Sequence, residues 1–151
     1  MNYSPLNYAL KLLERRDRSV GEVKKKMKEK EFSGEEVKKT IFFLKEKKFL
    51  DDHRFAKNFI RNQLSIKPLG KYQLKMRLKN KFISEEIVES TFDDINMNEK
   101  KLAQVALDRW IRINQSKEKK YEKVCRHLLG RGFNWEIVKE ILSNSKISNN
   151  K

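Results

Sequence analysis

Apolar residues recur along this chain in one pattern, three times over. The segments VKKKMKEKEFSGEEVKKTI (23–41), LKMRLKNKFISEEIVESTF (74–92) and VCRHLLGRGFNWEIVKEIL (124–142) align without gaps. Their apolar positions coincide at Val23, Leu74 and Val124; at Met27, Leu78 and Leu128; at Phe32, Ile83 and Phe133; at Val37, Val88 and Val138; and at Ile41, Phe92 and Leu142. The offsets are 51 and 50 residues. A fixed period of this size marks stacked helical units, in which each unit buries its apolar face on the next. Positions four apart share one face of a helix, so each copy reads as two helices.

Polar residues punctuate the pattern. Ser33, Ser84 and Asn134 follow the aligned apolar residue at the turn, and each is a good helix N-cap. Ser33 with Glu36, and Ser19 with Glu22, have the spacing of a capping box. Another helix precedes each pair. The first starts at Ser4-Pro5, the second at Asp51 or Asp52, the third near Asn98. Lys67-Pro68-Leu69-Gly70 interrupts the second copy. The expected fold is all-α: three tandem three-helix repeats at 1–50, 51–96 and 97–145, stacked into an elongated, curved crescent, with a frayed tail at 146–151.

Composition narrows the class. Glycine (5) and proline (2) are scarce in 151 residues, which favours helices over turn-rich β structure. Charged and apolar residues each make up 38 %, lean for a compact globule but too apolar for a disordered chain. The formal net charge of +15 favours a polyanionic partner. A membrane is not expected, because the chain has neither a long apolar run nor a signal peptide. Cys125 is the only cysteine, which excludes an internal disulfide and argues against structural zinc. The expected location is the cytoplasm.

The stretch FLDDHRFAKNFI (49–60) poses a choice between a catalytic or metal cluster and a helix start. Asp51 and Asp52 fall where a helix must begin, and aspartate there accepts orphan backbone N–H groups. A metal would need three or four converging ligands, and the other histidine, His127, lies in a different repeat. No phosphate-binding glycine loop, HExxH or GxSxG is present. The capping reading is preferred, with no catalytic residue, no metal and no cofactor.

That stretch also carries a resemblance. ALKLLERRDRS, FLDDHRFAKNFIR, LGKYQLKMRLKNKFISEEIV and HLLGRGFNWEIVKEIL, in this order and spacing, resemble the RecX family of bacterial recombination regulators. LDD-x-RFA and RGF are the most specific pieces. The resemblance implies a crescent of three tandem three-helix repeats that binds the RecA filament on single-stranded DNA. Lodged in the filament groove, it would inhibit ATPase and strand exchange, and so modulate recombination and DNA repair. GRGF departs from the usual arginine-pair form, and Gly130 stands where a second basic residue often sits.

Net charge is +6 over 1–50, +2 over 51–95 and +7 over 96–151. The middle helix of each copy is the basic one, carrying Lys24, Lys25, Lys26, Lys28 and Lys30; Lys71, Lys75, Arg77, Lys79 and Lys81; and Lys117, Lys119, Lys120, Lys123, Arg126 and Arg131. Stacked in register, these would form a stripe suited to phosphates or to an acidic protein groove. Taken singly, each lysine equally suits a solvated helix face. Arg77, Arg126 and Arg131 stand out because a guanidinium makes bidentate contacts. Trp135 aligns with positions that need not be buried. It is read either as a partner anchor or as a cover for the last repeat. Tyr72 is similarly placed, though its ring could simply pack across neighbouring helices. The chain is expected to act as a monomer, with weak direct DNA contact possible. Without the resemblance, the same residues fit a basic all-α protein that binds DNA directly, without RecA.

Overall fold

The computed structural model describes residues 4–115, 120–145 and 147. Lys117, Lys119 and the remainder of the 146–151 tail lie outside the described residues. Among the described residues there are nine α-helices and no strand. They are α1 (Pro5–Arg15), α2 (Val20–Glu29), α3 (Gly34–Glu46), α4 (Asp52–Ile66), α5 (Lys71–Asn80), α6 (Glu85–Ile95), α7 (Glu99–Ile113), α8 (Lys120–Gly130) and α9 (Trp135–Ser143).

Local side chains set the helix starts. Ser4, Ser19, Ser33, Asp51, Ser84, Asn98 and Asn134 each accept a backbone N–H from the first turn that follows. At Ser19 and Ser33 the capping box is reciprocal, with Glu22 and Glu36 reaching back to the cap N–H. Replacing such a cap by alanine typically costs about 1 kcal/mol.

One stop signal closes α2, α5 and α8. The N–H groups of Phe32, Ile83 and Phe133 donate to the carbonyls of Met27, Leu78 and Leu128, five residues back. The residues just before them, Glu31, Phe82 and Gly132, are left-handed, with φ of 68°, 65° and 89°. This is a Schellman ending, and its accompanying apolar contact is why the aligned pairs recur in the sequence. The glycine of RGF thus supplies the left-handed residue, which glycine adopts without steric cost.

Contacts group the chain into two compact units, Met1–Phe59 with Leu78–Thr91, and Ile60–Arg77 with Phe92–Lys151. The first unit packs α1–α3 around Ala9, Val23, Met27, Val37, Ile41 and Leu44. The second packs α7–α9 around Ala103, Leu107, Trp110, Val124, Leu128, Val138 and Leu142.

Each unit contains a joint in which the start of a middle helix meets a Schellman turn. In the first unit the Ser19 hydroxyl donates to the Lys81 carbonyl (2.5 Å), and the Val20 N–H donates to Asp52 Oδ1 (2.8 Å). A Cβ on Gly21 would lie 2.2 Å from Phe82 Cβ. In the second unit the Gly70 and Tyr72 N–H groups donate to the carbonyls of Arg131 (2.9 Å) and Gly132 (3.2 Å). The Lys71 N–H donates to Glu99 Oε2 (2.8 Å). A Cβ on Gly70 would lie 2.1 Å from the Gly132 carbonyl oxygen. Ser19 and Gly70, Val20 and Lys71, and Phe82 and Gly132 are equivalent in the repeat pattern. In both joints, a carboxylate from the first turn of the following repeat caps the middle helix.

Candidate partner-binding surface

Within FLDDHR, the side chains of Asp51, Asp52 and Arg54 bond backbone groups at helix ends. Asp51 Oδ1 accepts the Arg54 N–H (3.1 Å) and caps α4. Asp52 does not cap its own helix; it reaches α2 at Val20. Burial raises the Asp52 carboxyl above the usual aspartate range, outweighing the Val20 N–H bond and the Lys45 charge, which lower it. Arg54 donates to the carbonyls of Lys48 (3.0 Å) and Phe49 (3.3 Å), closing the end of α3. His53 is exposed. No group of three or more His, Cys, Asp or Glu among the described residues is placed to hold a metal ion.

The basic residues divide into outward and engaged sets. On α2, Lys24 and Lys28 are exposed. On α5, Lys71 and Lys75 are half-buried, and each holds its ammonium 5.8 Å from the centre of the Phe92 ring. Arg77 is half-buried as well and donates to the Gln63 side chain. Lys79 alone of the α5 candidates is exposed. On α8, Lys123 and Arg126 are exposed, whereas Lys120 is half-buried. Arg131, half-buried in the turn after α8, lends its carbonyl to the joint with Gly70. Trp135 opens α9 and is 43 % exposed, and Tyr72 is 67 % exposed. The side-chain oxygens of Ser33, Ser84 and Asn134 face the backbone of α3, α6 and α9.

Two concave surfaces collect basic side chains. One, of about 360 Å³, is lined by Trp110, Asn114, Lys123, Arg126 and His127. Burial, and then the Arg131 charge, lowers the His127 pKa, which favours its neutral ring. The other, of about 410 Å³, runs between α2 and α3, with Lys24, Lys28, Lys38 and Lys45 around Phe42. Lys38, Lys45 and Phe42 escape a reading based on middle helices alone. The signal was in IFFL: Ile41 and Leu44 are buried, so Phe42 falls off their face. Cys125 carries a thiol raised by burial, against the lowering bond to Tyr121, which disfavours the reactive thiolate.

These features define a basic all-α protein of tandem three-helix units, with outward lysines and arginines on selected helices. The comparisons give that class a family. Residues 6–44 match the model of the RecX first three-helix domain, and 51–91 match that of the RecX second three-helix domain. The chain is 31 % identical over 137 residues to the regulatory protein RecX of Prosthecochloris aestuarii, covering 91 % of this chain and 90 % of that one. It is likewise 31 % identical to the regulatory protein RecX of Vibrio vulnificus, covering 90 % and 89 %. The crystal structure of RecX from Lactobacillus salivarius shares the fold, with a TM-score of 0.82 at 19 % identity over 93 % of both chains. The chain belongs to the RecX family of regulatory proteins.

Proposed function

We propose that this protein is a negative regulator of RecA. It binds in the groove of the RecA–DNA filament and inhibits ATP hydrolysis and strand exchange. Its three repeats, 1–50, 51–96 and 97–145, act together as a monomer in the cytoplasm. Family membership supports RecA as the target. The observation that carries a binding role is the outward placement of Lys24, Lys28, Lys79, Lys123 and Arg126 in a chain of net charge +15. Exposed cations of this kind meet phosphates or carboxylates with salt-dependent affinity. The reading needs no catalytic group: the acids of FLDDHR already serve helix starts.

The test is ATP hydrolysis by RecA on single-stranded DNA, titrated with this protein, with its binding to the same DNA measured alongside. Inhibition at protein well below RecA, with weak binding to bare DNA, is expected. Inhibition that appears only as the bare DNA becomes coated would instead make the protein a competing DNA binder.

A further inference from the structure

The α2–α3 groove of the first unit offers chemistry that a phosphate contact alone does not use. Its walls carry Lys24 and Lys28 from α2 and Lys38 and Lys45 from α3; among the described residues lining it there is no carboxylate, and Glu35 lines the adjoining concave surface that shares Gly34, Lys38 and Phe42. Val37 and Ile41 form its floor and are each 4 % exposed. Phe42 stands at its side, 65 % exposed. At the start of α3, a Cβ on Gly34 would meet nothing within 4 Å, so that end lies open. Keeping a phenyl ring in water forgoes the favourable burial of its apolar area. Four ammonium groups around one groove also repel each other, which a partner carrying carboxylates relieves.

We propose that this groove docks an acidic peptide segment that carries one large apolar side chain. The apolar side chain sits on Val37 and Ile41 against Phe42, and flanking carboxylates meet the lysines. Helix-lined grooves commonly take apolar anchors in this way. The floor favours a peptide over a nucleic acid. Val37 and Ile41 offer no donor to a base edge or sugar, and a phosphate chain would engage the lysines while leaving the floor unused. The groove does not depend on the RecA reading, and its test does not involve RecA.

The experiment uses the full chain and fluorescence anisotropy. The probe is a dye-labelled synthetic peptide of alternating glutamate and alanine with one central leucine. Its companions are the same peptide with serine for leucine, and an oligothymidylate of equal charge. Saturable binding of the leucine peptide is expected, weakened about tenfold by the serine exchange and about tenfold by Phe42→Ser. Lys28→Glu with Lys38→Glu is expected to weaken it further, and Lys123→Glu with Arg126→Glu to leave it unchanged. Phe42 and these lysines are exposed, and circular dichroism verifies that each variant is folded. Absent peptide binding at millimolar concentration, equal binding of the serine peptide, or indifference to Phe42→Ser would overturn the proposal. So would oligothymidylate binding tighter than the peptide and depending on the same residues.

Discussion

Helices α2 and α5 hold equivalent places in successive repeats; Lys28 and its match Lys79 are both exposed, but Lys24 and its match Lys75 are treated differently. Lys24 stands in water on α2, whereas on α5 Lys71 and Lys75 lie over Phe92 and Arg77 bonds Gln63. The apolar residues explain the difference. In α5, Leu74 and Leu78 are buried while Tyr72 and Met76 stay exposed, so the helix carries apolar groups on two sides. In α2, the positions matching Tyr72 and Met76 are Gly21 and Lys25, and the Phe82 ring lies against both. Similar sequence blocks thus serve a charged surface in one repeat and internal contacts in the next. Net charge per repeat therefore overstates what the middle repeat presents to a partner.

The joints sharpen this comparison, and the largest expected effect lies there. Gly70→Ala drives a methyl into the Gly132 backbone, which cannot step aside; a loss on the order of 3 kcal/mol is expected in urea unfolding. Gly21→Ala meets Phe82 Cβ, an atom fixed to the backbone that no rotamer change moves, so a loss of the same order, about 3 kcal/mol, is expected. A loss under about 1 kcal/mol at either position would contradict a tight joint there.

Next come the engaged lysines. Lys71→Gln with Lys75→Gln removes two ring contacts, and about 1 kcal/mol of stability in total is expected to go. Inhibition of RecA ATPase is expected to hold.

A smaller effect separates two acids of the first joint by pH. Burial raises the Glu22 carboxyl, but the bonds to Arg16 and Ser19 and the Lys81 charge outweigh it, so its pKa is lowered overall. Its stabilisation is therefore present above the ordinary value of about 4.3 and is lost as pH falls through the lowered one. Asp52 runs the other way. Its raised pKa makes the folded protein the better proton binder, so its share of stability declines as pH rises from about 3.9 through the raised value. In acid unfolding series, Glu22→Gln should remove the first slope and Asp52→Asn, which keeps an acceptor for Val20, the second. The smallest effect is a gain: Glu31→Gly, at φ 68°, is expected to stabilise by about 0.5 kcal/mol.

Much of the helical scaffold is legible in the sequence because period and caps are local properties. Val23, Met27, Val37 and Ile41, four apart in pairs, are buried together, and Ser33 caps the helix it precedes. Asp52 shows where such reading ends. Its position at a helix start is local, but its bond to Val20 joins groups 32 residues apart, which no spacing rule encodes. Lys71, Lys75 and Arg77 were equally opaque. A sequence tells which side of a helix a lysine leaves from, while its flexible stem decides whether the charge ends in water or over Phe92.

The most direct test of the central claim is RecA ATPase on single-stranded DNA, titrated with Lys24→Glu/Lys28→Glu beside Lys71→Gln/Lys75→Gln. A shift of about tenfold or more in the inhibitory concentration for the α2 pair, with none for the α5 pair, is the predicted result. Undiminished inhibition by the α2 pair would contradict a regulator that works through its outward-facing cations.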